Sequence, residues 1–173
     1  MGLSEEIDNI QLTSPSLVDG MAVHQLVANC PPLDPNSSYC NFLQCGHFSQ
    51  TSVAARRGDQ LLGFISGYLV PERQDTLFIW QVAVSPEARG LGLASRMLDS
   101  ILARPACRAV RFLETTITDD NQASWSLFRA LGKRLSSPLS SSVWLDASAH
   151  FNGQHDSEHL VRIGPFNPPG ESQ

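Results

Sequence analysis

An apolar strand that runs straight into a glycine-marked helix start constrains this chain more than any other stretch. Leu77-Phe-Ile-Trp-Gln-Val-Ala-Val84 is followed by Ser-Pro-Glu-Ala-Arg89-Gly-Leu-Gly-Leu-Ala94, and a helix is expected over Ser95–Ala103. Gly92 and Ala94 carry little or no side chain, so a ligand can come close to the backbone there. The first N–H groups of a helix have no partner inside it and sit at the positive end of its dipole. Together these features form a pocket for an anion, most naturally a pyrophosphate.

Neighbouring residues narrow the cofactor. The turn lacks the Gly-Lys-Ser/Thr ending of a nucleotide P-loop, and it lacks the three glycines and later acidic residue of a dinucleotide fingerprint. Arg89-Gly90-Leu91-Gly92-Leu93-Ala94 reads instead as Arg-x-x-Gly-x-Ala. A further strand, Val110–Ile117, follows, and then a helical segment, Asn121-Gln-Ala-Ser-Trp-Ser-Leu-Phe-Arg-Ala-Leu-Gly132. These elements, in this order, resemble the GNAT superfamily of acyl-CoA N-acetyltransferases. Its signature is Gln/Arg-x-x-Gly-x-Gly/Ala, with an Asn-x-x-Ala-x-x-Leu-Phe helix downstream. The resemblance implies acetyl-CoA as co-substrate. It assigns Val82, Ala83 and Val84 to polarising the thioester carbonyl through backbone N–H groups. It assigns Arg89, Gly90, Leu91, Gly92, Leu93, Ala94 and Asn121 to holding the cofactor.

Composition bounds the alternatives. At 173 residues with 42% hydrophobic side chains, the chain suits one domain with its own core, expected over 1–166 with a loose tail at 167–173. A net charge of −5 argues against a nucleic-acid partner. No apolar run approaches the length of a membrane span and the first residues are acidic and polar, which points to the cytoplasm. Cys30, Cys40, Cys45 and Cys107 form no Cys-x-x-Cys pair and read as reduced structural thiols. His150, His155 and His159 are too loosely spaced for a zinc motif, so no metal is expected.

Other elements follow from pattern. Ile7–Leu12 reads as a first strand. Ser14-Pro15-Ser16 starts a helix that Cys30-Pro31-Pro32 stops, and Tyr39–Gln44 is a short second helix after a loop over 33–38. Ser52–Arg56 and Leu61–Val70 are strands joined by a Gly58-Asp59 hairpin. Pro71–Thr76 reads as a loop. Val143–Asp146 and Leu160–Ile163 read as closing strands around a polar, turn-rich segment. Strands alternating with helices give an α/β fold, a mixed sheet covered by helices. The resemblance implies a mostly antiparallel central sheet with its fourth and fifth strands splayed apart.

Acetyl transfer to an amine needs a base, because a lysine-like ammonium loses its proton only near about pH 10. Glu114, Glu158 and Asp34 are the candidates. The superfamily commonly draws its acid toward the thiolate from a Tyr in the last core helix. Here that helix carries Trp125 and Phe128, so Tyr39 is the candidate acid or substrate donor. Further patches are more specific. Pro31–Tyr39, Leu77–Val84, Arg104–Cys107, Leu113–Thr116, Asp120–Ser124 and His159–Pro165 resemble the L-2,4-diaminobutyrate acetyltransferases of ectoine synthesis, over roughly residues 10 to 166. This implies acetylation of the γ-amine of L-2,4-diaminobutyrate by a bacterial cytoplasmic homodimer. Asp34, Tyr39, Trp80, His155 and Glu158 are the candidate substrate contacts. Carboxylates suit the amines of a zwitterion, and an indole suits its aliphatic chain. Two other readings stay open on the residues alone: a GNAT enzyme for another small amine, polyamine or protein amine, and a non-catalytic acyl-CoA-binding module.

Overall fold

The computed structural model describes residues 9–169. The described residues form two compact units, one of residues 9–68 and 79–108, the other of residues 69–78 and 109–169. Among the described residues one seven-stranded sheet runs in the order β1 (Gln11–Thr13), β2 (Val53–Arg57), β3 (Gln60–Val70), β4 (Arg73–Val84), β5 (Phe112–Ile117), β7 (Glu158–Ile163), β6 (Leu139–Leu145).

The first unit begins with β1 (Gln11–Thr13), antiparallel to β2 (Val53–Arg57). Ile7 and Asp8 of the expected first strand lie outside the described residues. The expected helix from Ser14 opens instead as a 3-10 turn, Leu17–Asp19, where Ser16 donates its N–H to the Asp19 carboxylate at 2.7 Å. Regular helix α1 then runs Gly20–Ala28 and ends before the Pro31-Pro32 pair. Helix α2 (Ser38–Gly46) is capped by Ser37, whose hydroxyl accepts the Cys40 N–H at 3.2 Å. Val23, Leu26, Val27, Cys30 and Cys45 of this helical layer pack against Phe64 and Ala83 of the strands. β2 and β3 (Gln60–Val70) form the expected hairpin, with Gly58 at φ +59° in its turn. The later half of β4, a 3-10 turn (Pro86–Ala88) and helix α3 (Leu93–Leu102) complete the unit. Helix α3 starts two residues earlier than the sequence suggested, and buries Leu93, Met97, Leu98, Ile101 and Leu102.

In the second unit, the segment read as a loop over Pro71–Thr76 is mostly strand. β4 runs Arg73–Val84, leaving Pro71-Glu72 as a two-residue turn. The polar residues there hid the strand because their partners are distant in sequence. Arg73 is paired with Glu114, and Asp75 accepts the Arg111 N–H through its carbonyl at 2.8 Å. β5 (Phe112–Ile117) lies beside β4 and parallel to it. Helix α4 (Gln122–Arg134) buries Trp125, Phe128 and Leu131. The closing strands are longer than expected. β6 runs Leu139–Leu145 and β7 Glu158–Ile163, with β7 antiparallel to both β5 and β6. Phe166, at the end of the expected domain, is buried and exchanges main-chain and guanidinium hydrogen bonds with Arg111.

Candidate active site

The expected anion turn has the geometry its glycines require. Gly90 and Gly92 sit at φ +77° and +70°, where a side chain is strained. A Cβ built on either would meet nothing within 4 Å. The glycines therefore serve backbone conformation and open space, rather than close packing. Gly92 is itself the N-cap of α3 and offers no side-chain acceptor, and the first turn of the helix carries no acidic residue. The N–H groups of Leu93 and Ala94 thus lack the usual cap and are left for an outside anion. Such a turn fits a pyrophosphate-bearing group like coenzyme A. Arg89 folds back to donate Nε to the Val84 carbonyl at 3.3 Å, which ties the turn to the end of β4. Cys30 Sγ donates to the same carbonyl at 3.4 Å. Val82 and Val84 are half-buried around the fully buried Ala83.

Two of the acceptor-side candidates of the first unit are tied to β4, Trp80 within it and Asp34 through its main chain. Trp80 is 40% exposed and meets Tyr68 edge-on at 6.2 Å, and Tyr68 in turn contacts Phe48 at 5.7 Å. Tyr39, in the first turn of α2, is 72% exposed. Asp34 is also exposed, in the loop that precedes α2. Sequence reasoning missed what holds that loop. Gln81, buried in β4, donates Nε2 to the Asp34 carbonyl at 3.0 Å and accepts the Asn36 side-chain amide at 2.8 Å. It read only as one polar letter in an apolar run; a buried polar residue inside a strand was the available signal.

In the second unit, Glu114 is buried on β5 and both its oxygens are taken. Arg73 donates to Oε1 at 2.7 Å and to Oε2 at 3.0 Å, while Arg162 also pairs with Oε1. Burial pushes this carboxyl up, but the hydrogen bonds and charges of Arg73 and Arg162 outweigh it and hold the group below its ordinary value of 4.5. A lowered carboxyl is a weaker base, so Glu114 is poorly suited to that role. Arg162 is fixed further by stacking over Phe112 at 3.8 Å. Glu158, half-buried at the first residue of β7, makes no such pair among the described residues. Glu114 faces Arg162 in the β5–β7 register, four residues along β7 from Glu158, or about 13 Å of strand. The two carboxylates therefore sit apart along the β5–β7 ladder.

His155 lies in an ordered loop. Its Nδ1 meets the Asp156 carbonyl at 2.7 Å and its ring packs, tilted by 42°, against Phe151 with centroids 4.7 Å apart. Asp146 anchors the loop by accepting the N–H groups of Ser148 and Ala149, bonds that lower its carboxyl below the usual range. His159 instead pairs with Asp119 at 3.0 Å beside Trp125. Among the described residues no group of three His, Cys, Asp or Glu could hold a metal ion. Asn121 caps α4, its carbonyl oxygen accepting the Ser124 N–H at 3.1 Å. Trp125 donates its indole N–H to Thr118 and Phe128 is buried, so this helix contributes packing where a tyrosine acid would stand. All four cysteines are free, and burial pushes Cys45 and Cys107 up to about 11, in keeping with inert structural thiols. Arg104 was also undervalued: it donates to the carbonyls of Ser49, Gln50 and Ser52, tying the end of α3 to the entry of β2.

Comparison with known proteins adds independent findings. The acetyltransferase (GNAT) family profile matches residues 21–132. An L-2,4-diaminobutyric acid acetyltransferase from Methylotuvimicrobium alcaliphilum is 55% identical over 157 residues, covering 91% of each chain. One from Vibrio parahaemolyticus is 55% identical over 149 residues, covering 86% of this chain and 82% of its own. Among solved structures, the diaminobutyrate acetyltransferase EctA from Paenibacillus lautus, in complex with L-2,4-diaminobutyric acid and coenzyme A, superposes with a TM-score of 0.87. It is 37% identical and covers 93% of this chain and 98% of its own.

Proposed function

We infer the activity from the premise that this chain belongs to the acetyltransferase (GNAT) family and, within it, to the L-2,4-diaminobutyrate acetyltransferases. It transfers the acetyl group of acetyl-CoA to the γ-amine of L-2,4-diaminobutyrate, giving γ-N-acetyl-diaminobutyrate for ectoine synthesis. The observation that carries this is reach. The likeness extends beyond the acetyl-CoA turn common to such enzymes to nine-tenths of the chain.

Three tasks fall to the chain's own residues. The uncapped start of α3, opened by Gly90 and Gly92 with Arg89, Leu91, Leu93 and Ala94 around them, holds the pyrophosphate. Asn121 contributes from the start of α4. The main-chain N–H groups of Val82 to Val84 polarise the thioester carbonyl. Glu158 takes the proton from the γ-ammonium, since Glu114 is bound to two arginines. Asp34 is assigned to the α-amino acid end, as is His155; Trp80 walls the aliphatic chain, and Tyr39 donates to the substrate or to the departing thiolate. Residues 1–166 act as one catalytic domain, a reading supported by β3 and β4, which each pass from one unit into the other.

Turnover of an amine panel with acetyl-CoA, followed by thiol release, tests the assignment. Diaminobutyrate is expected to react at least about a hundredfold faster than ornithine, lysine or spermidine, because misplacing the reacting nitrogen by about 1 Å costs on that order. NMR of the product should show acetyl on the γ-nitrogen. Equal turnover across the panel would defeat the substrate and leave the acetyltransferase standing.

The protein works as a homodimer in the bacterial cytoplasm. Among the described residues no helix is long and apolar enough to cross a membrane. Leu17, Val18 and Met21 are 61%, 89% and 49% exposed, and the outermost strand β6 exposes Val143 and Trp144. Apolar surface and an open strand edge of this kind call for a cover. Sedimentation equilibrium should give twice the chain mass, and a monomer at micromolar concentration would remove this assignment.

A further inference from the structure

An acceptor loop can hold an amino acid in register only if the loop is itself held. Residues 33–36 lie outside helix and strand, between a turn in which Leu33 donates its N–H to the Cys30 carbonyl at 3.0 Å and Ser37, which caps α2. Gly, Pro and polar loops of this kind are positioned by their side-chain partners. One such partner is the side-chain amide of Gln81. Gln81 is 8% exposed, a polar side chain inside an otherwise apolar strand. Its Oε1 accepts from Asn36 at 2.8 Å and its Nε2 donates to the Asp34 carbonyl at 3.0 Å. Its own N–H donates to the Ser66 hydroxyl of β3 at 3.2 Å. The main chain of Gln81 leads directly into Val82–Val84, the segment that faces the thioester. The same residue therefore grips the loop with its side chain and is anchored in the acetyl-bearing strand through its backbone.

We propose that Gln81 is a positioning residue that sets the spacing between the Asp34–Asn36 loop and the strand that presents the acetyl group, and so selects which amine of the substrate is acetylated. This rests on the reading that the loop takes the amino acid. The amide chemistry is specific: only a group with both a donor and an acceptor satisfies the Asp34 carbonyl and the Asn36 amide at once. Glutamate keeps the acceptor and loses the donor, and methionine of similar length loses both.

The test compares the full-length wild type with Gln81→Met, Gln81→Glu and Asn36→Ala. In Gln81→Met, the amides of Asp34 and Asn36 to Ser38 should exchange with solvent about tenfold faster, while the exchange of α3 is unchanged. The KM for diaminobutyrate should rise about tenfold or more with the KM for acetyl-CoA within about twofold, and α-N-acetyl product should become visible by NMR. Gln81→Glu should fall between, and Gln81→Met combined with Asn36→Ala should be no worse than Gln81→Met alone, as expected for one shared link. Asn36→Ala leaves the strand intact and reads the same link should Gln81→Met fold poorly. Unchanged loop exchange, or an equal rise in both KM values with unaltered regiochemistry, overturns the proposal. A wild type inert toward diaminobutyrate overturns the functional reading instead. The proposal is then decided by loop exchange and by the KM of whichever amine the panel identifies.

Discussion

A valine in place of Gly92 is expected to raise the KM for acetyl-CoA by about a hundredfold or to abolish binding, in a protein that still folds. The reason is conformational. Gly92 sits at φ +70°, where a β-branched residue is strained by roughly 1–3 kcal/mol. Nothing lies within 4 Å of the added Cβ, so the core is untouched and the strain is relieved by reshaping the turn. Reshaping moves the uncapped N–H groups of α3 away from the pyrophosphate, and the valine methyls fill the approach. Gly58 supplies the control. It has a similar φ of +59° and equally open surroundings, but it lies in the β2–β3 hairpin. Gly58→Val should lower the melting temperature comparably and leave both KM values alone. Isothermal titration with coenzyme A reads the difference. A folded Gly92→Val variant with wild-type affinity would dismiss the turn as the cofactor site.

The second large effect separates two glutamates. Glu158→Gln should lower kcat about a hundredfold, within the range usual for loss of a general base. The residual rate should climb steeply with pH, because the γ-amine must then lose its proton to bulk water and its neutral fraction grows about tenfold per pH unit below its pKa. Glu114→Gln should do something different. Its carboxyl is lowered in the folded state, so its ion pairs with Arg73 and Arg162 stabilise the fold fully above the ordinary value of 4.5 and lose that effect as pH falls through the lowered one. The variant should therefore unfold more easily at pH 7, by about 2–4 kcal/mol, with a shallower loss on acidification than the wild type. Its kcat per folded molecule should stay within about threefold. Kinetic pH profiles and thermal unfolding at pH 7 and pH 4 distinguish the two. If Glu158→Gln keeps its kcat while folded Glu114→Gln loses it, the roles are reversed. If both and Asp34→Asn turn over normally, no carboxylate is the base.

Much of this protein was legible before any coordinate. The Arg89–Ala94 turn is local: its glycines, its helix and its lack of a capping side chain are all written within a few residues, so spacing alone marks the uncapped helix start that the structure has. The hairpin at Gly58 and the stop at Pro31-Pro32 are local in the same sense, and the patches resembling the diaminobutyrate enzymes run along the chain. What tertiary structure decided is whatever depends on a distant partner. Arg73 to Thr76 look like a loop by composition and become strand because β5 lies alongside and Glu114 reaches across to Arg73. Glu114 looks like a catalytic base in sequence, and two arginines 41 and 48 residues away claim its oxygens and lower its basicity. Gln81 is a single polar letter in an apolar run until a loop 45 residues earlier closes on its amide. Periodicity and turn chemistry act over a few residues and survive in the sequence. Ion pairs and buried hydrogen bonds form between segments that only the fold brings together, and the roles of Glu114 and Gln81 are of that second kind.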